Sequence, residues 1–424
     1  MSKIGIDCSI ILRRVSLKSD KMQEQLTRKV YIVVDRFINW LASFGETSYD
    51  HQTFFAGPFG GKAKALYYKS NFPGILAVSP MIFFEAFIPS ARVLFWKKQR
   101  FPIADAHYAM GFALLSQVTN NEIHYKRAVH FLDILEQTMC PGYKNYCWGY
   151  PFDWVTRGGI FWKNTPFITT TPYVYEAFSY VYQIDKNERW LNIMRSIAEH
   201  AMQDIKDFET SADASTCSYT PTPDDHGGVI NASAYRAWLL TLASMQLSDD
   251  NYRRAAERNI NFVLQSQQPN GSWYYAMDGV RDFVDHFHTC FVLKALGKIE
   301  QATGHEGCHE AIDRGVQYYM NNLFDKDGLP KPFSKPPRLT VYRNELYDYA
   351  ECINLCVLLM HRHEQLDTVL QRVINDLLHR WIKSDGSFRS RKLLLGWDNV
   401  PMHRWAQSQV FRSLCFLLYE EKMK

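Results

Sequence analysis

The sequence predicts an all-α protein, an (α/α)6 toroid of six helical hairpins, and three observations carry that prediction. A unit of roughly sixty residues recurs along the 424-residue chain, a period at which each unit buries its apolar face only against its neighbours. Each unit holds two helices joined by a short polar break, and short connections force antiparallel partners. The units are joined by long aromatic loops. Alternating short and long connections put every long loop at one end, the mouth of the ring.

The elements follow in order. A first helix at residues 22–41 has no partner before it, and the long connection after it holds an inserted helix at 80–95. The helices that open the later units begin at Asp105-Ala106-His107-Tyr108, Thr171-Pro172-Tyr173-Val174, Asn231-Ala232-Ser233-Ala234, Asp285-His286-Phe287-His288, Asp348-Tyr349-Ala350-Glu351 and His403-Arg404-Trp405-Ala406. Asp, Asn and Thr suit N-caps, and Pro172 suits a first turn. Each opening runs into apolar residues spaced i, i+3, i+4, as in Phe291, Val292, Ala295, Leu296 and Ile299. The breaks are Asn120-Asn121, Asp185-Lys186-Asn187, Ser248-Asp249-Asp250, Gly304-His305 and the stretch near Gln365. Second helices follow at 125–138, 190–205, 252–265, 308–323 and 369–381. The helix from His403 has no partner after it, so pairing it with the first helix closes the ring.

Composition fits one domain over 1–424. Hydrophobic residues make up 46%, enough for a large core, and no Pro/Gly/Ser linker or charge run divides the chain. A bilayer span needs about 18 or more consecutive apolar residues, and the chain has no such run. The apolar patch at 8–12 is too short for a secretory signal. Nine cysteines without CxxC spacing favour reduced thiols and a cytoplasmic setting. A net charge of +4 does not call for nucleic acid, although Lys97, Lys98 and Arg100, or Arg389, Arg391 and Lys392, can face an acidic ligand. The oligomeric state is open, and no cofactor is called for. Cys147 and Cys308-His309 fall at opposite ends of the ring, so no metal site is expected.

The long loops carry the functional residues. The loop before Thr171 holds Trp148, Tyr150, Asp153, Trp154 and Arg157. The next holds Tyr219, Asp225 and His226. Trp273, Tyr274 and Tyr275 precede Asp285 and His288, and the last two loops bring Tyr342, Arg343 and Trp397. Flat aromatic faces beside carboxylates and arginines suit a sugar. The pyranose packs its C–H face on a ring, and its hydroxyls take bidentate bonds. Trp148, Tyr150, Asp153, Trp154, Arg157, Tyr219, Trp273, Tyr274, Asp285, Arg343 and Trp397 are the expected binding residues for an oligo- or polysaccharide.

Three roles fit this set. One is proton abstraction at C5 of a uronic acid, in which Arg157 or Arg343 neutralises the sugar carboxylate and His226, His288, Tyr275 and Tyr342 supply base and acid. A second is glycoside hydrolysis by two carboxylates, drawn from Asp153, Asp225, Asp278, Asp285 and Asp398, with Asp225 foremost. The third is binding without catalysis.

Two resemblances bear on these roles. Gln265 with Gly271 and Trp273 resembles the Gln-Trp repeat of triterpene cyclases, which supports stacked hairpins; the Asp-rich acid motif of those enzymes is missing. Tyr146-Cys147-Trp148-Gly149-Tyr150-Pro151-Phe152-Asp153-Trp154, followed by Thr165-Pro166 and Thr170-Thr171, resembles a family of toroidal proteins found with bacterial exopolysaccharide and surface-glycan genes, the VpsJ-like polysaccharide biosynthesis proteins. Gly271 through Tyr275, Phe283 through Thr289 and Asp327 through Phe333 resemble the same family. The resemblance spans roughly residues 142–413. It implies a six-hairpin fold and a role in making or trimming a polysaccharide, without specifying a reaction. The chain departs from the family at Asp348-Tyr349-Ala350-Glu351, where relatives open on Asp-x-His-Ser.

Overall fold

The computed structural model describes residues 8–337 and 340–423. For residues 8–23 only the helical backbone is described, so the packing of the apolar patch at 8–12 lies outside the described residues. Twelve helices build the ring. They are α1 (Cys8–Phe44), α2 (Pro102–Thr119), α3 (Glu122–Gln137), α4 (Thr171–Asp185), α5 (Glu188–Glu199), α6 (Ile230–Leu247), α7 (Asp250–Gln265), α8 (His286–Thr303), α9 (Glu306–Asn322), α10 (Leu346–Leu359), α11 (Gln365–Asp376) and α12 (Ser408–Met423).

The even-numbered helices form the inner ring. Each touches the next, and α12 packs on α2, where a Cβ on Gly111 would come within 2.5 Å of the Phe411 ring. The odd-numbered helices lie outside, each against its hairpin partner, and α1 pairs with α12 as the sequence predicts. Burial follows position. All 14 residues of α10 are buried, as befits a helix packed all round. On α11 only the stripe Leu366, Val369, Leu370, Val373 and Ile374 is buried.

The short turns repeat one device. Asn120, Lys186, Ser248 and Gly304 end inner helices in the left-handed region, with φ of 54, 55, 56 and 71°, which frees the chain to reverse. The next residue caps the outer helix: Asn121 accepts the Ile123 N–H at 2.9 Å, Asn187 that of Arg189 at 3.0 Å, and Asp249 that of Asn251 at 2.8 Å. At the mouth the expected caps hold less well. Asp285 caps α8, and Pro172 occupies the first turn of α4. Asp105, Asn231 and Asp348 instead lie within the first turns of their helices.

The long loops contain short antiparallel strands. Trp154–Thr156 pairs with Gly159–Phe161, and Asp207–Glu209 with Ser215–Cys217. Val284–Asp285 pairs with Phe333–Lys335, and Tyr342–Glu345 with Arg391–Leu393, lacing successive loops together. The inserted segment is larger than the sequence predicts. Thr53–Ala56, Pro58–Lys69, Asn71–Phe87 and Arg92–Phe95 are helical, and Pro80 sits inside the third of these. No helix among the described residues is long and apolar enough to cross a membrane.

The space enclosed by the inner helices is filled by buried polar side chains. The Tyr173 and Tyr235 hydroxyls bond at 2.6 Å, Lys294 pairs with Glu351 and Lys298 with Glu176, and Glu176 accepts the Trp238 indole N–H at 2.7 Å. Burial brings the Lys294 ammonium down to about 8 although Glu351 opposes it. The ring has a charged axis below its mouth.

Candidate functional site

Asp285 and His288, in the opening turn of α8, anchor the mouth. One Asp285 oxygen accepts the His288 backbone N–H at 2.8 Å, capping the helix, and the other lies 2.6 Å from His288 Nδ1. Asp285 is 2% exposed and His288 21%. A carboxylate at this distance pairs with the tautomer that carries its N–H on Nδ1, in which Nε2 bears the lone pair. The Tyr275 ring meets this imidazole at 4.7 Å and stacks on Phe283 at 4.8 Å. Burial pushes the Tyr275 phenol up to about 12 against the pull of Arg281. Burial likewise raises Tyr219 and Tyr342 well above the usual phenol range. The phenols of this group therefore keep their protons at neutral pH.

A second cluster faces the first. Trp405 lies flat on Tyr347 at 4.6 Å, edge-on to Phe287 at 5.6 Å, and 4.1 Å from the His51 ring. Arg404 forks onto Asp50 at 2.6 and 3.0 Å and lies 4.6 Å from the centre of the Tyr150 ring. Burial alone would raise the Asp50 carboxyl, but the Arg404 guanidinium holds it below the ordinary carboxylate range. Burial outweighs Asp50 at His51 and brings its imidazole down to about 3, so it is neutral. Nearby, Arg391 pairs with Glu345 and, at 2.8 Å, with Glu85, and its guanidinium lies 4.7 Å from the Tyr342 ring centre. Asp348 is buried, and neither of its carboxyl oxygens has a hydrogen-bond partner among the described residues. Burial, then Glu345 and Asp285, push that carboxyl well above its ordinary range.

The structure sorts the residues expected from the sequence. Asp285, His288, Tyr275, Tyr219, Tyr150 and Trp154 are part of, or pack against, the central group; Tyr150 meets Trp154 at 5.6 Å, and the Tyr219 hydroxyl accepts a bond from Thr169 at 3.2 Å. Tyr342 joins through Arg391. Arg157 and Arg343 are exposed at the rim. Asp153, also exposed, accepts the Lys163 N–H at 2.7 Å. Tyr274 lies under Lys335 at 4.9 Å, and Trp397 packs on Trp381 at 5.0 Å, both toward the outer flank.

Four expectations are corrected. Trp148 and Trp273 are buried in the core, where their indole N–H groups bond the carbonyls of Leu135 in α3 at 2.8 Å and Val263 in α7 at 2.9 Å. They pin loops to outer helices and present no face to a sugar. Asp225 accepts bonds from the Thr220 N–H at 2.7 Å, the Thr220 hydroxyl at 3.0 Å and the Gly227 N–H at 3.1 Å, so its carboxylate shapes its own loop. His226 is exposed, with its ring 6.3 Å from Phe208, and among the described residues it makes no ring contact with the Asp285–His288 group. Sequence reasoning missed Asp50, His51, Tyr347, Arg404 and Trp405 as site residues. For Tyr347, Arg404 and Trp405 the signal was topological, because a residue opening an inner helix must lie at the mouth; Asp50 and His51, in the segment after α1, carried no such signal. Among the described residues, no group of three or more His, Cys, Asp or Glu is placed to hold a metal ion.

Solved structures share this architecture at low identity. Cellobiose 2-epimerase from Bacillus thermoamylovorans matches with a TM-score of 0.60 at 11% identity, over 76% of this chain and 88% of that one. Unsaturated glucuronyl hydrolase from Bacillus sp. GL1 matches with a TM-score of 0.56 at 14% identity, over 74% and 86%. A polysaccharide lyase matches at 0.52 and 10%, over 80% and 95%. No protein-family model and no curated protein matches the chain. At these identities the likeness establishes the (α/α)6 toroid.

Proposed function

We propose that the protein is a carbohydrate-active enzyme that abstracts the C5 proton of uronic acid residues, in the manner of an epimerase or lyase. The carrying observation is the Asp285–His288 pair, an oriented imidazole base beside the protonated Tyr275 phenol. A C5 proton leaves only if the adjacent carboxylate is neutralised and a base and an acid are both in reach. His288 takes the proton. Tyr275 or Tyr342 returns one to carbon or protonates the departing 4-substituent. Arg157 or Arg343 meets the sugar carboxylate at the rim, Trp154 and Tyr219 offer ring faces to the pyranose, and Tyr150, covered by Arg404, offers its edge. The toroids that share this fold include proteins acting on sugars, an analogy that supports the substrate class. The VpsJ-like resemblance supports a setting in surface-glycan or exopolysaccharide biosynthesis. The eight described cysteines, all buried as free thiols, fit a reducing cytoplasm.

Glycoside hydrolysis is the second reading, and Asp348 favours it. Burial pushes its carboxyl well above the ordinary range, as suits an acid that protonates a leaving group, whereas Asp225 serves its loop and Asp398 pairs with buried Arg92 at 2.8 Å.

Proton NMR in deuterated water, with acidic and neutral glycans, tests both readings. The expected result is loss of an H5 signal, with or without a new alkene resonance, and a fall in turnover of about 10²–10⁴ in His288→Ala. New reducing ends without exchange would move the chemistry to Asp348. Line broadening alone would leave a glycan-binding subunit.

A further inference from the structure

The segment between α1 and α2 carries an apolar surface that the ring does not use. Its helices Pro58–Lys69 and Asn71–Phe87 turn their inner faces onto a small core of Phe54, Ala63, Val78, Met81 and Ala91. Their outer faces are bare. Phe72 is 74% exposed and Leu94 78%, and Ile75, Leu76, Phe83 and Phe87 continue from Phe72 along one side of the longer helix at helical spacing. Exposed apolar patches beyond a few hundred Å² mark contact surfaces.

Charge decides what covers this one. Glu85 is the only acid between Phe54 and Lys98, and it is turned inward to Arg391 at 2.8 Å. Arg92 is turned inward to Asp398 at 2.8 Å. Lys62, Lys69, Lys97 and Lys98 are exposed around the patch. On the longer helix the Ser79 hydroxyl is spent on the Ile75 carbonyl at 2.6 Å. Tyr67 and Tyr68, exposed on the shorter helix, are side chains that suit a membrane interface, with an apolar ring and a polar tip. An apolar strip ringed by lysines complements an anionic bilayer, with side chains reaching the acyl boundary and ammonium groups at the headgroups.

The bare surface continues onto the rim of the mouth. Helix Pro58–Lys69 rests on strand Trp154–Thr156, whose hairpin leads to Trp162, 64% exposed. Glu85 holds Arg391, and the strand beyond it turns at Leu395, 72% exposed. We propose that the insertion seats the protein on an anionic membrane surface, peripherally, with the mouth of the ring turned toward the headgroups. This placement stands apart from the reaction proposed above, because vesicle binding is read without turnover.

Co-sedimentation of the full chain with vesicles tests it. Binding is expected to phosphatidylcholine vesicles containing about a third phosphatidylglycerol, weakening with salt, and to be much weaker to phosphatidylcholine alone. Lys62→Gln with Lys69→Gln should weaken it about 25-fold, roughly fivefold per lysine. Phe72→Ser with Phe83→Ser should weaken it about tenfold or more. All four positions are exposed, so an unchanged melting temperature confirms that these variants are folded. Absence of vesicle binding, or binding that both double variants leave intact, overturns the proposal. So does a dimer that Phe72→Ser with Phe83→Ser makes monomeric and that ignores vesicles, which would assign the face to a second copy of the chain.

Discussion

Asp285 uses one oxygen to cap α8 and the other to orient His288, and the two roles can be separated. Asparagine caps a helix about as well as aspartate, so Asp285→Asn should change stability by less than about 1 kcal/mol. An amide N–H facing Nδ1 forces the proton onto Nε2 and removes the base. Turnover should then fall by about a hundredfold or more, read as kcat beside the melting temperature. Unchanged kcat would separate His288 from the chemistry. The place of Asp285 and His288 at the mouth was legible because residues that open an inner helix, or just precede it, must lie there, and Tyr275 lies in the long loop that leads to them. Trp148 and Trp273 were not, since loop composition does not say whether an indole lines a wall or reaches down to an outer-helix carbonyl. The Asp50–Arg404 pair joins residues 354 apart, visible only once the ring is closed.

Among the elements, the short turns were the most legible. A polar residue that tolerates the left-handed region, followed by Asn or Asp as cap, ends one helix and starts the next. Lys186 adopts φ of 55° in such a turn, where a side chain costs energy that glycine avoids. Lys186→Gly should therefore raise stability by about 0.5–1 kcal/mol, measured by urea unfolding, and a loss would contradict the role assigned to this turn. Helix starts at the mouth were less legible. Asp105, Asn231 and Asp348 look like caps in sequence, yet their helices begin two or three residues earlier or one residue earlier, as packing on the neighbouring inner helices extends them. The inserted helices were hidden for a different reason. The run from Phe72 to Phe87 is apolar on both faces and shows no amphipathic period, and Pro80 lies on the exposed side, where its missing N–H is tolerated.

At the scale of the whole molecule, closure depends on His403. Its backbone N–H donates to the Ser48 hydroxyl at 2.8 Å, its Nε2 faces the Gly45 carbonyl at 3.0 Å, and its Nδ1 meets the Tyr108 hydroxyl at 2.6 Å. It thereby ties the start of the last hairpin helix to the segment after α1 and to α2. Burial brings this imidazole down to about 4, although the Gly45 carbonyl opposes the shift. The unfolded chain takes up a proton near pH 6.5 that the fold refuses. Stability is therefore full above about pH 6.5 and is lost as pH falls toward 4, by up to about 3 kcal/mol from this residue. The shift at His51 acts in the same direction. Urea midpoints at pH 7.5 and 5 should show the loss, and His403→Gln should reduce it; equal midpoints in the parent protein would refute the assignment.

The charged axis has a consequence for assembly. Lys294 and Lys298 lie on α8, Glu351 on α10 and Glu176 on α4, so the two ion pairs join one inner helix to two others. A buried charge left without its partner is costly. A hairpin seated out of order would strand these charges, and the completed ring satisfies them.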